Sequence, residues 1–216
     1  MLNYDLYIFD WDGTLMDTTQ TIIEAITHAC KVFDLPIISN ELARSIVGKS
    51  FIFVITEAIP ELRGNPALLQ KFTAVYEQYL NDHILNNPLF ADVAKTLDKL
   101  TADGKIITVA TGRSRARLND ILLAMGLSHY FALTKTAGEC FSKPHPQMIE
   151  EILEFTGMNK SQAVMIGDTS YDLQMAQNAG VDAVGISHGA HTYAELLAYN
   201  PRYVFKNISE LYEALV

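Results

Sequence analysis

Ile8-Phe9-Asp10-Trp11-Asp12-Gly13-Thr14-Leu15-Met16-Asp17-Thr18 is the stretch from which the rest of this chain is read. The apolar run Leu6-Tyr7-Ile8-Phe9 carries no polar alternation, which is the pattern of a strand covered on both faces. It delivers two carboxylates, Asp10 and Asp12, at its end. Gly13 then lets the backbone turn, and Thr14 adds a hydroxyl. Two acids held so close repel, so a bound cation or a shared proton is expected to compensate.

Working outward, short apolar runs recur at 106–110, 131–134, 163–166 and 183–186, with a weaker one at 203–205. Helical patterns at 93–102, 115–125, 147–155, 171–178 and 193–197 separate them. Strands alternating with helices imply an α/β fold with a doubly wound parallel sheet, whose ligands gather beyond the carboxyl ends of the strands. One interval breaks the alternation. From 19 to 85 the apolar residues keep helical spacing, punctuated by Pro36, Gly48, Pro60, Gly64 and Pro66. This reads as a helical insert after the first strand, hinged at 16–19 and 86–88. The expected units are a core of 1–15 and 88–216 and an inserted helical domain of 16–87.

Composition narrows the function. The 216 residues carry a formal charge of −9, and the basic residues are scattered, which argues against nucleic acid as the main partner. No apolar run approaches the roughly 18 residues of a membrane span, so no membrane association is expected. The start of the sequence lacks a secretory pattern, and Cys30 and Cys140 are too few for a disulfide framework. A cytoplasmic protein, monomeric or homodimeric, is the expectation.

Four polar clusters each follow a strand: Asp10 and Asp12; Thr111-Gly112-Arg113-Ser114; Ser142-Lys143-Pro144-His145-Pro146; and Gly167-Asp168-Thr169-Ser170-Tyr171-Asp172. Together they describe an oxygen-rich cation site beside an oxyanion site. Asp10 and Asp168 suit Mg²⁺, which prefers hard oxygen ligands. The Thr111 hydroxyl, neighbouring backbone N–H groups and the Lys143 ammonium suit phosphate oxygens. One strand-end carboxylate is placed to attack phosphorus while the other moves the proton. Taken singly the clusters have plainer readings: Thr111-Gly112 as a strand-to-helix turn, Lys143 as a surface lysine, Asp168 as a helix cap.

In order and spacing, D-x-D-G-T-L-x-D, T-G-R-S, S-K-P-x-P and G-D-T-x-x-D-x-x-x-A-x-x-A-G resemble the haloacid dehalogenase (HAD) superfamily over nearly the whole chain. The resemblance is to its phosphoglycolate phosphatase-like branch, with a Rossmann-like core and a helical cap after the first motif. It implies a Mg²⁺-dependent phosphatase acting on a small phosphorylated metabolite, with Asp10 as nucleophile forming an aspartyl-phosphate and Asp12 as acid and base. It further implies Mg²⁺ on the Asp10 carboxylate, the Asp12 carbonyl and Asp168, and the phosphoryl group held by Thr111 and Lys143. Asp172 would orient Lys143 or a metal-bound water. Thr14, Gly112 and Arg113 are expected to bind substrate, and Lys49, at an expected turn of the insert, is a further substrate contact. Gly112-Arg113 departs from the Asn or Ser that many relatives carry.

Several alternatives stay open on the same fold. A phosphomutase would return phosphate to a sugar, and a phosphonate hydrolase would use a cap lysine such as Lys49. A haloacid dehalogenase would leave Asp12 and the cation without a role. A non-catalytic binding module would have no need of the four clusters together. Gly48-Lys49-Ser50 is no P-loop, because the required upstream glycine is Ala43 and no strand precedes it. His188 and His191 lack further zinc ligands at suitable spacing and read as surface or loop histidines.

Overall fold

The computed structural model describes residues 2–48 and 51–216. The unbroken apolar run becomes β1 (Leu6–Phe9), every residue of which is buried. It lies in the middle of one parallel sheet with β2 (Ile106–Thr111), β3 (Leu133–Thr136), β4 (Ala163–Gly167), β5 (Asp182–Ile186) and β6 (Tyr203–Phe205), in the order β3-β2-β1-β4-β5-β6. The direction of winding reverses between β1 and β4. At such a reversal the connections leave the sheet on opposite sides and open a crevice at the carboxyl ends of the two strands.

The period of two along β1 divides the core. Leu6 and Ile8 face α7 (Gln147–Thr156), α8 (Ser170–Ala179) and α9 (Tyr193–Leu197), packing with Met148, Ile152, Leu173 and Leu196. Tyr7 and Phe9 face α5 (Val93–Ala102), α6 (Arg115–Ala124) and α10 (Ile208–Glu213), packing with Leu97, Leu118 and Leu211. Each such side chain, fully buried, contributes about 1.5–3 kcal/mol to stability.

The third strand lies two residues later than its apolar run implies. β3 is the sheet edge, and its polar Thr134, Lys135 and Thr136 pair with Val109, Ala110 and Thr111, so hydropathy does not mark it. The closing helix α10 was not anticipated either. Its signal is the capping pair Asn207 and Glu210, where the Asn207 side chain accepts the Glu210 N–H at 3.0 Å.

Among the described residues between β1 and α5 lie four α-helices and no strand: α1 (Thr19–Val32), α2 (Asn40–Ile46), α3 (Phe51–Ala58) and α4 (Pro66–His83). α1 runs against α4, burying Ile22, Ile26 and Ala29 against Phe72, Tyr76 and Leu80, which recur at three- and four-residue intervals. Phe51 stacks on Tyr76 with ring centroids 3.7 Å apart. The two connections to the sheet domain lie side by side: Asp17 N–H donates to Pro88 O and Phe90 N–H to Leu15 O, both at 3.0 Å. Met16 and Leu89 form an antiparallel bridge between them. No helix among the described residues is long and apolar enough to cross a membrane.

Candidate active site

Asp10 follows the last residue of β1, and its backbone N–H donates to Ile166 O on β4 at 2.9 Å, so its side chain emerges at the winding reversal. Gly13 turns the chain with φ +78°, and a Cβ there would collide with the Asp168 carboxylate. A Cβ at Gly189 would meet the same carboxylate and the Gly13 carbonyl beside it. Glycine at both positions lets backbone close around Asp168.

Asp168 follows β4. Thr14 Oγ1 donates to its Oδ1 at 2.8 Å and the Ala190 N–H to its Oδ2 at 2.7 Å. Asp172 sits in the first turn of α8, where its Oδ2 accepts from the N–H and hydroxyl of Thr169, a reciprocal cap. Lys143, in the loop after β3, precedes a cis peptide bond to Pro144. Its Nζ stands 2.7 Å from Asp10 Oδ1 and 2.7 Å from Asp172 Oδ1. The directed hydrogen bond goes to Asp172. Toward Asp10 the ammonium is close but poorly aligned, and neither Asp10 oxygen accepts a well-formed hydrogen bond among the described residues.

Two buried carboxylates, Asp10 and Asp172, thus share one ammonium, and a third, Asp168, lies beside them. Burial, then the Asp172 and Asp168 charges, hold the Asp10 carboxyl well above the usual carboxylate range, although Lys143 opposes them. Burial and the Asp172 charge push Asp168 up to about 7. Burial alone would lower the Lys143 pKa, but Asp10 and Asp172 outweigh it and raise it. Oxygens of Asp10, Asp168 and Asp172 lie within 4.8 Å of one another. A buried acid whose oxygens accept no aligned hydrogen bond among the described residues, beside a second acid held by neutral donors, is an arrangement that a hard cation satisfies. Asp172 fits that role less well, since both its oxygens are engaged.

Asp12 points toward the helical insert. Its Oδ1 accepts from Thr18 Oγ1 at 2.5 Å and from the Arg113 guanidinium. The Thr111 hydroxyl, at the end of β2, accepts the Arg113 N–H at 3.2 Å. A cavity of about 80 Å³ lies between these strand ends and α4, with Asp10, Asp12, Gly112, Arg113, Tyr76 and Arg117 in its wall.

A family model described as haloacid dehalogenase-like hydrolase matches residues 7–186. The chain belongs to this family. It is a hydrolase similar to phosphatases along its whole length. A Dickeya dadantii protein named "Probable phosphatase IndB" is 31% identical over 95% of this chain and 91% of its own. A Vibrio cholerae protein named phosphoglycolate phosphatase is 28% identical over 100% of this chain and 99% of its own. Among solved structures, a haloacid dehalogenase-like family hydrolase from Streptococcus pneumoniae superposes with a TM-score of 0.84 at 22% identity, covering 100% of both chains.

In this hydrolase the first, third and fourth clusters come together at Asp10, and the second reaches them through the Arg113–Asp12 pair and the shared cavity wall. Thr14 is placed otherwise than expected: its hydroxyl is fully buried and turned onto Asp168, not into the cavity. Gly112 and Arg113 line the cavity, the latter with its charge directed at Asp12. Lys49 lies outside the described residues. His188 stacks on Phe90 with ring centroids 3.6 Å apart, and His191 Nδ1 accepts the Ser170 N–H, so both are structural members of the loop. Sequence reasoning passed over Thr18, Ala190, Tyr76, Glu77 and Arg117. None of them had a legible local signal: Arg113 precedes the cap of α6, so its spacing from Arg117 marks no shared helical face.

Proposed function

We propose that this hydrolase is a Mg²⁺-dependent phosphatase of a small phosphorylated metabolite, working through an aspartyl-phosphate on Asp10. The observation that carries this reading is the buried Asp10 carboxylate at the winding reversal. Its oxygens lack directed hydrogen bonds, and Lys143 stands 2.7 Å away. A carboxylate so placed has its lone pairs available for phosphorus or for a cation.

Mg²⁺ would be held by the Asp10 carboxylate, the Asp12 carbonyl and Asp168, where it would supply charge neutralisation for the phosphoryl oxygens. The chain's own residues then divide the work. Lys143, oriented by Asp172, and Thr111 bind the transferring phosphoryl group. An Asp10 oxygen attacks phosphorus as the bond to the leaving oxygen breaks, and Asp12 gives that oxygen a proton. Asp12 next takes a proton from the water that attacks the phosphorus of the acyl phosphate, restoring Asp10 and releasing inorganic phosphate.

Residues 16–87 act as a cap that excludes water, and Gly112, Arg113 and Lys49 contact the substrate. A cytoplasmic setting belongs to the same reading, supported by two free cysteines. Because relatives carry the name phosphoglycolate phosphatase, phosphoglycolate heads the panel of esters for the test. Phosphate release from the panel should require Mg²⁺ and vanish in Asp10→Asn. Substantial turnover by Asp10→Asn, or release indifferent to chelation, would refute the mechanism.

A further inference from the structure

The geometry points to Arg117 as the residue that limits substrate length, and this rests on the phosphatase reading. Arg117 lies in the first turn of α6 and is only 8% exposed. Its guanidinium reaches across to α4, pairing with the Glu77 carboxylate and donating from Nη2 to Glu77 O at 2.5 Å. One side chain thereby grips both a carboxylate and a backbone carbonyl of the facing helix. Exposed ion pairs contribute little, but a nearly buried guanidinium with two acceptors is held in place.

Its position along the seam gives this grip a function. On the inner side, toward Asp10 and Asp12, the cavity is walled by Tyr76, Glu77 and Leu80 of α4 and by Arg113, Ser114 and Arg117 at the head of α6. One helical turn further along both helices lies a second space of about 400 Å³, lined by Asn81, Leu85, Asp120 and Ile121. Arg117 lines both. The two spaces therefore lie on either side of Arg117 along the α4–α6 seam, and Arg117, held by Glu77, is the partition between them.

The consequence is steric. The inner cavity of about 80 Å³ is far below the ~300–1,000 Å³ of pockets that hold drug-sized ligands. With the phosphoryl group at Asp10, only a short tail fits before the guanidinium. A longer phosphomonoester must break the pair or be refused. Removing the side chain joins the inner cavity to the outer groove, which then has room for the tail.

The test is kcat/KM for a homologous series of linear alkyl and hydroxyalkyl phosphates, measured on the wild-type enzyme and on Arg117→Ala. The ratio of short to long ester within one protein is independent of the fraction folded. In the wild type kcat/KM should fall at least ~10-fold once the tail outgrows the cavity, the scale of a mismatch in a shaped pocket. In Arg117→Ala the ratio should flatten, chiefly through a lower KM for the long esters, with the shortest ester little affected in kcat. Should Arg117→Ala not fold, Arg117→Leu, which keeps an apolar stem but removes the guanidinium, carries the same expectation. A length profile in the variant that matches the wild type overturns the role of Arg117 while leaving the phosphatase standing. A wild-type enzyme silent on every ester overturns both.

Discussion

The two ends of the cavity are built on opposite plans. At the strand ends, Asp10, Asp168 and Asp172 sit on or beside backbone that the sheet immobilises, and glycines close in until no Cβ fits. At the seam, Arg117 and Tyr76 reach in on side chains from helices far apart in sequence, and Arg113 from the loop before α6. The chemical end is rigid and defined by position; the other end is defined by side chains that can be exchanged. Catalytic groups gain from being fixed within a fraction of an ångström, whereas a recognition wall needs only shape.

Asp10→Asn attacks the rigid end most directly. Turnover should drop by more than about 10⁴-fold, as for nucleophiles that act as part of a unit, with melting temperature held or raised. A stopped-flow search for phosphate release would detect any remainder. Asp12→Asn should cost about 10²–10⁴-fold in kcat, and less for esters with good leaving groups, which need no proton. If leaving-group dependence is unchanged, Asp12 is not the acid.

Metal removal should affect the fold less than the activity. Mg²⁺ at a hundred times its Kd should stabilise the protein by about 2.7 kcal/mol, visible as a rise in melting temperature that Asp168→Asn abolishes. Gly13→Ala should destabilise by about 1–3 kcal/mol, because it meets the Asp168 carboxylate at positive φ. A neutral outcome would mean the strand ends are softer than the comparison holds. Thr18→Val, which removes one donor to Asp12, should lower kcat by roughly 10-fold, near the ~1–1.5 kcal/mol of a single hydrogen bond. A loss as large as that of Asp12→Asn would move Thr18 from the adjustable end to the rigid one.

The same contrast explains what was legible. Asp10, Asp12, Thr111 and Asp168 each lie at or just past a strand end, so a parallel sheet brings them together by topology, while Lys143 reaches in from the longer loop after β3. Thr14 misled because a hydroxyl beside two acids reads equally well as a ligand contact and as a buried donor, and only the path of the backbone decides. Ala190 had no signal at all, since it contributes an N–H that any residue carries. Glu77 and Arg117 lie 40 residues apart on two helices, and no local pattern reports their meeting. β3 and α10 lie at the periphery, where half-buried elements carry too few apolar residues for periodicity to show.

The paired connections at Met16 and Leu89 have an architectural consequence. A segment whose two ends already touch imposes almost no loop-closure demand on the chain that hosts it. The helices between them are therefore interchangeable in principle with any insert of matching footing, while the sheet and its acids fold as before. An exchanged insert would bring its own face to the cavity, while Arg113 and Arg117 stay with the sheet domain.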